Sequence, residues 1–112
     1  MSFEIHVLPD FSREVKRLAK KYPSLKKDLS IFRDELLKNP LRGIELTPGI
    51  RKIRMAITSK GKGKSGGARV ITYNIIVSEI EGDIYLMSIY DKSEHSTIDV
   101  NILIDTIKEL GL

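Results

Sequence analysis

Lys52 and Arg54 stand two residues apart in an apolar stretch, and Arg69 follows them across a loop of glycines and lysines. No Asp or Glu occurs from Leu46 through Ser78, and that window holds Arg51, Lys52, Arg54, Lys60, Lys62, Lys64 and Arg69, a charge of +7. The whole chain carries +4, so the rest sums to −3. A focused cationic patch raises the local concentration of a polyanion and speeds its encounter. The implied ligand is a phosphate backbone, and a nucleic acid first of all. If that nucleic acid is RNA, no protein nucleophile is needed, because the 2′-OH can attack the adjacent phosphorus. The protein must then align the chain, stabilise growing negative charge and move protons. Arg69 can grip phosphate oxygens with two parallel donors, whereas Lys52 offers a compact charge. Preorganised cations are each worth a factor of about 10²–10³. Tyr90 offers a ring on which a splayed base can stack. Each has a structural alternative: an ion pair of Arg69 with Asp91, a core position for Tyr90, and a plain surface role for His95.

The elements that must position these groups follow from periodicity. Phe3 to Leu8 alternates as a strand, with Phe3, Ile5 and Val7 on one face and Glu4 and His6 on the other. Pro9-Asp10 ends it, and Asp10 or Ser12 can cap a helix. Phe11, Val15, Leu18, Ala19 and Tyr22 form one helical stripe, and Leu25, Leu29, Phe32 and Leu36 form a second, running to about Lys38. With only Pro23 between them, the two helices are expected to pack as an antiparallel hairpin. Asn39-Pro40 stops the second helix, Ile44 to Leu46 is a short strand, and Pro48-Gly49 is a turn.

In Ile50 to Thr58, Ile53, Met55 and Ile57 face one side and Lys52, Arg54 and Ala56 the other. Lys52 and Arg54 then stand side by side, about 7 Å apart. Gly67 to Val77 and Ile84 to Tyr90 are further strands, the latter apolar on both faces. Asp91 to His95 is a polar loop. Ser96 with Asp99 forms a capping box for a last helix carrying Val100, Leu103, Ile104, Ile107 and Leu110, with Gly111 just beyond its end. The expectation is an α+β fold in one domain over residues 1–112: an N-terminal strand, an antiparallel helical hairpin, a three- to four-stranded antiparallel meander and a C-terminal helix. The helical hairpin covers one sheet face, and Lys52 and Arg54 lie on the other.

Composition removes several functions. With no cysteine there is no disulfide and no thiolate metal site, and two histidines far apart in sequence argue against a histidine metal site. No metal and no cofactor is expected. No apolar run reaches the roughly 18 residues that span a bilayer, and the start of the chain lacks the pattern of a signal peptide. A cytoplasmic protein with no membrane partner is the simplest expectation. The loop Gly61-Lys62-Gly63-Lys64-Ser65-Gly66 matches G-x-G-x-x-G, and Gly63-Lys64-Ser65 matches the tail of a P-loop. Both matches sit before a strand rather than a helix, and position 58 is Thr58 where the P-loop has glycine. The preferred reading is a mobile basic arm, with Arg51, Lys60, Lys62 and Lys64 binding RNA.

The combination of Lys52-Ile53-Arg54-Met55, the basic loop, Gly67-Ala68-Arg69-Val70-Ile71-Thr72-Tyr73 and the run from Ile84 through Tyr90-Asp91-Lys92-Ser93-Glu94 resembles the RelE/ParE superfamily of bacterial toxins from type II toxin–antitoxin modules. The branch it is most similar to is the HigB/RelE-like mRNA interferases, and Phe11 through Leu25 fits the same branch. The resemblance implies a RelE-like fold and a metal-independent endoribonuclease that cleaves translated mRNA in the ribosomal A site and so inhibits translation. It also implies a cognate antitoxin protein as partner. It matches Lys52, Arg54, Arg69 and Lys92 to the family's catalytic cations. The family's late tyrosine has no counterpart, since the aligned position holds Ile98; Tyr90 or His95 can substitute. Two alternatives stay open: a ParE-like inhibitor of DNA gyrase, and a non-catalytic RNA-binding module.

Overall fold

The computed structural model describes residues 2–95 and 97–112. It is an α+β fold of three α-helices and a five-stranded mixed sheet. In chain order the elements are β1 (Phe3–Val7), α1 (Pro9–Lys21), α2 (Leu25–Lys38), β2 (Ile44–Thr47), β3 (Ile50–Met55), a 3-10 turn (Thr58–Lys60), β4 (Ala68–Ser78), β5 (Glu81–Asp91) and α3 (Val100–Glu109). The sheet order is β1-β5-β4-β3-β2. Strands β2 to β5 pair antiparallel in succession, with short turns joining β2 to β3 and β4 to β5, and β1 joins the far edge parallel to β5.

Each sheet face has its own core. Phe11 and Leu18 of α1 and Leu25, Phe32 and Leu36 of α2 pack against Ile53, Met55, Val70, Ile84 and Ile89. The expected stripes of both helices thus face the sheet. On the opposite face α3 places Leu103 and Ile107 on Ile50, Ile71, Met87 and Tyr90. The sheet is therefore buried on both sides along β4 and β5, which explains why their sequences read as nearly continuous apolar runs.

Two irregularities shape the surroundings of the basic residues. Ile71 pairs with Ser88 but Thr72 pairs with Leu86, so Met87 is an extra residue in β5. This bulge flips the alternation: Leu86 and Ile89, three apart, both reach the α1/α2 core, and Tyr90 turns to the α3 face. The second is at Gly43, whose φ of +82° and approach to Lys52 leave no room for a Cβ, which would meet the Lys52 carbonyl oxygen at 2.3 Å.

Several boundaries depart from expectation. Helix α1 begins at Pro9 rather than after an Asp10 or Ser12 cap. Proline's fixed φ and missing N–H suit the first helical position, and the Leu8 carbonyl takes the first helical bond, from the Ser12 N–H at 3.2 Å. Asp99 is itself the cap of α3, its carboxylate accepting from the Asn101 N–H at 2.9 Å; Ser96, expected to form a capping box with it, lies outside the described residues. Strand β3 ends at Met55, three residues short, because the chain turns to meet Asp28 of α2.

Candidate functional site

The basic residues fall into two groups. Lys52, Arg54, Arg69 and Lys92 line one cleft of about 480 Å³, together with Arg42 and Lys64. Among the described residues no acidic one lines it. Strand alternation sends Lys52 and Arg54 away from Ile53 and Met55, which are buried against the helices. Arg54 lies directly across from Arg69 in the β3/β4 ladder, and Arg69 directly across from Tyr90 in the β4/β5 ladder. Like charges placed directly opposite are destabilising, so the Arg54–Arg69 pair costs stability unless an anion joins it. Among the described residues, no carboxylate lies within 4.0 Å of Lys52, Arg54, Arg69 or Lys92. Arg42 and Lys64 differ, both reaching Glu35, at 3.1 and 3.9 Å.

Arg69 is only 6% exposed, and its expected partner Asp91 is engaged elsewhere. Its guanidinium donates to three carbonyl oxygens, of Lys64 and Ala68 at 3.2 Å and of Ser65 at 2.9 Å. Burial, and then the neighbouring Arg54, pull its pKa below the ordinary arginine value. A buried cation that only neutral dipoles hold is ready to gain from an anion.

Those same bonds fold the basic loop back onto its strand. Gly66 and Gly67 N–H groups bond Lys62 and Lys64 carbonyls, and Gly61 and Gly63 take positive φ. The expected mobile arm is thus a folded turn, anchored at both ends. At its start, Asp28 accepts from the Thr58 N–H at 2.9 Å and the Thr58 hydroxyl at 2.5 Å.

Lys60, expected to bind RNA, is engaged internally. Its ammonium donates to Asp91 at 2.6 Å and its side chain is only 13% exposed. Arg51 is also withdrawn: it donates to the Arg42 and Gly43 carbonyls at 2.9 and 3.1 Å and braces that turn. Of the four loop and strand cations assigned to RNA, Lys62 and Lys64 are the exposed ones.

Asp91 is the organising group that sequence reasoning misses. The sequence places it in a polar loop, but it is the last residue of β5 and fully buried. Its carboxylate accepts from Lys60, the Tyr22 hydroxyl, and the Ser93 N–H and hydroxyl at 2.9 and 2.7 Å. Burial alone would raise its pKa; these hydrogen bonds outweigh burial and hold it well below the carboxylate range. It thereby ties the end of α1, the turn before the basic loop and the segment that carries Lys92. The signal is the bulge, which puts Asp91 on the same face as Ile89; nothing in the local sequence announces it.

Tyr90 is 5% exposed, so its ring is part of the α3 core and a base can stack on it only if that packing opens. Its hydroxyl is buried without a hydrogen-bond partner among the described residues. Burial raises its pKa and Arg69 opposes that rise. His95 is exposed and meets the Tyr90 ring edge-on at 5.9 Å. Tyr90, His95 and Ile98 line a second, smaller cleft of about 240 Å³. The structure therefore gathers the four cations in one place and the two proton-transfer candidates in another, linked through the Arg69–Tyr90 pair. A larger cleft, about 710 Å³ between β1 and α2, is mostly apolar and holds none of the candidates.

No helix among the described residues is long and apolar enough to cross a membrane. No family model matches the chain.

Proposed function

We propose that this chain is a RelE-like toxin, its α1/α2 pair the family's antiparallel helical hairpin, that cleaves translated mRNA on the ribosome in the cytoplasm and is neutralised by a cognate antitoxin. The observation that carries the reading is the acid-free cleft in which Lys52, Arg54, Arg69 and Lys92 converge without a carboxylate partner. A phosphodiester fits there. Arg54 and Arg69, which repel one another, are both satisfied by one bridging phosphate, and Lys52 and Lys92 flank it. In the reaction the 2′ oxygen forms a bond to phosphorus and loses its proton, the bond to the 5′ oxygen breaks, and that oxygen gains a proton. The cations stabilise the extra negative charge of the phosphorane. His95 is the accessible proton carrier, and the Tyr90 hydroxyl is the buried one.

One observation favours a second reading. Tyr90 is buried and the family's tyrosine position holds Ile98, which suits a binding module that grips RNA without cutting it. The deciding experiment maps mRNA ends by primer extension after brief induction of wild type and of Arg54→Ala, with and without active translation. Arg54 is exposed, so its removal leaves the core intact. Cuts that require translation and vanish in Arg54→Ala are expected. Intact mRNA with arrested growth would point to the gyrase-type inhibitor, and intact mRNA with normal growth to the binding module.

A further inference from the structure

A second constellation of donors lies where β1 pairs with β5. Glu4 and His6 are two residues apart on β1 and share a face, and Asp83 of β5 lies directly across from Glu4 in the parallel ladder. One ligand atom from each of the three lies within 4.8 Å of the others. The His6 Nε2 is 2.8 Å from Asp83 Oδ1 and 3.9 Å from Glu4 Oε2. The imidazole is oriented from outside the cluster: it stacks on Tyr85, its cross-strand neighbour, at 4.7 Å and 21°, and Tyr85 in turn leans on Tyr73.

Two of the three donors, Glu4 and Asp83, line a hollow of about 400 Å³ together with Glu81, and among the described residues no Lys or Arg lines it. Among the described residues none of these carboxylates has a Lys or Arg within 4.0 Å, in a chain with 19 such cations for 15 acids.

We propose that Glu4, His6 and Asp83 bind a divalent transition-metal ion of the Zn²⁺ class across the β1/β5 edge of the sheet. One imidazole nitrogen and two carboxylate oxygens suit a borderline ion that takes ligands at about 2.0–2.2 Å in tetrahedral geometry. Such ligands stand roughly 3.3–3.5 Å apart, which the separations here bracket, so small side-chain rotations close the set. Mg²⁺ suits the site poorly because it prefers oxygen ligands in strict octahedral geometry. Water completes the shell from the hollow. The ion pins the edge strand β1 to β5 and relieves the repulsion among the carboxylates. It sits on the sheet apart from the cationic cleft and shares no residue with it.

The test is calorimetric titration of the purified full chain with Zn²⁺ and separately with Mg²⁺, with the imidazole resonances followed by NMR. The chain has only His6 and His95, so each is assignable by one substitution. One Zn²⁺ per chain is expected, with the His6 signals shifting and those of His95 unmoved. Loss of a supporting partner alone costs metal sites about 10–100-fold in affinity, so His6→Ala should lose at least that much. Glu4→Gln, at an exposed position, should weaken binding without affecting folding. Mg²⁺ should give no saturable heat. The proposal is overturned if Zn²⁺ gives no saturable heat, if affinity survives His6→Ala, or if only the His95 resonances move.

Discussion

Replacing Asp91 by alanine should be the most damaging single substitution near the cationic cleft that touches none of its lining residues. The carboxylate is fully buried and Lys60 is nearly so. Removing one partner of a buried ion pair leaves an uncompensated charge, at a cost of about 3–5 kcal/mol. The Tyr22 hydroxyl and the Ser93 donors also lose their acceptor, which places Asp91→Ala at the upper end. Removing both charges is a different matter, because apolar replacement of a buried pair is often nearly neutral. Lys60→Met combined with Asp91→Ala should therefore recover about 2 kcal/mol or more of the loss. The assay is urea denaturation of the four proteins of the double-mutant cycle, read as midpoint at constant slope. If Asp91→Ala costs less than about 1 kcal/mol, the carboxylate behaves like an exposed one and the organising role is wrong. If the double variant is as unstable as Asp91→Ala alone, the loss comes from the Tyr22 and Ser93 bonds and not from the stranded ammonium.

The same carboxylate sets an acid limb. Its pKa is depressed in the folded chain, so its contribution is complete above the unfolded aspartate value of about 3.9 and is lost as pH falls through the much lower folded value. Unfolding free energy should decline below about pH 4, and the decline should be shallower in Asp91→Asn. Tyr90→Phe removes a buried hydroxyl with no partner among the described residues; stability measured by urea should hold or rise by about 1 kcal/mol, and a clear fall would mean that the hydroxyl has a partner. Gly43→Ala forces a Cβ onto the Lys52 carbonyl at positive φ, which should cost about 1–3 kcal/mol and weaken RNA binding by displacing Lys52. Arg54→Ala and Lys92→Ala should each flatten the log–log salt dependence of single-stranded RNA binding by about 0.7, whereas Arg51→Ala should leave that slope unchanged.

What is legible in the sequence and what is hidden divide along a physical line. Period and alternation are local, so the helical stripes of α1 and α2, the strands, and the outward aim of Lys52 and Arg54 can be read directly. Long-range pairing cannot. Lys60 and Arg51 look identical in sequence to Lys62 and Lys64, yet Lys60 has a buried carboxylate 31 residues away and Arg51 a turn to brace. Pro9 reads as a strand terminator although proline fits equally at the start of a helix. The Met87 bulge is invisible in a run that is apolar on both faces, because no alternation exists there for it to break. Without the bulge, Tyr90 and Asp91 cannot be assigned their faces, and those are the two residues whose burial most changes the picture of the site.

The placement of acids and bases in this fold has a consequence for how the cleft works. Asp28 and Asp91 hold the start of the basic loop, and Arg69 holds its end through the Lys64 and Ser65 carbonyls. The first two ties use no residue of the cleft, whereas the third uses a guanidinium that lines it. A phosphate that takes the Nη1 and Nη2 donors of Arg69 displaces those carbonyls, so binding in that mode releases the far end of the loop. The exposed Lys62 and Lys64 would then be freed to follow the backbone of the bound strand. Arg69→Lys separates the two halves of this coupling, because a lysine keeps the charge but cannot bridge the carbonyls in a fork. Its loop should be loose before any ligand arrives, with faster hydrogen exchange at Gly66 and Gly67, whose N–H groups are bonded in the folded turn. If exchange there is the same in Arg69→Lys as in wild type, the loop is held by its own turn, and phosphate binding does not release it.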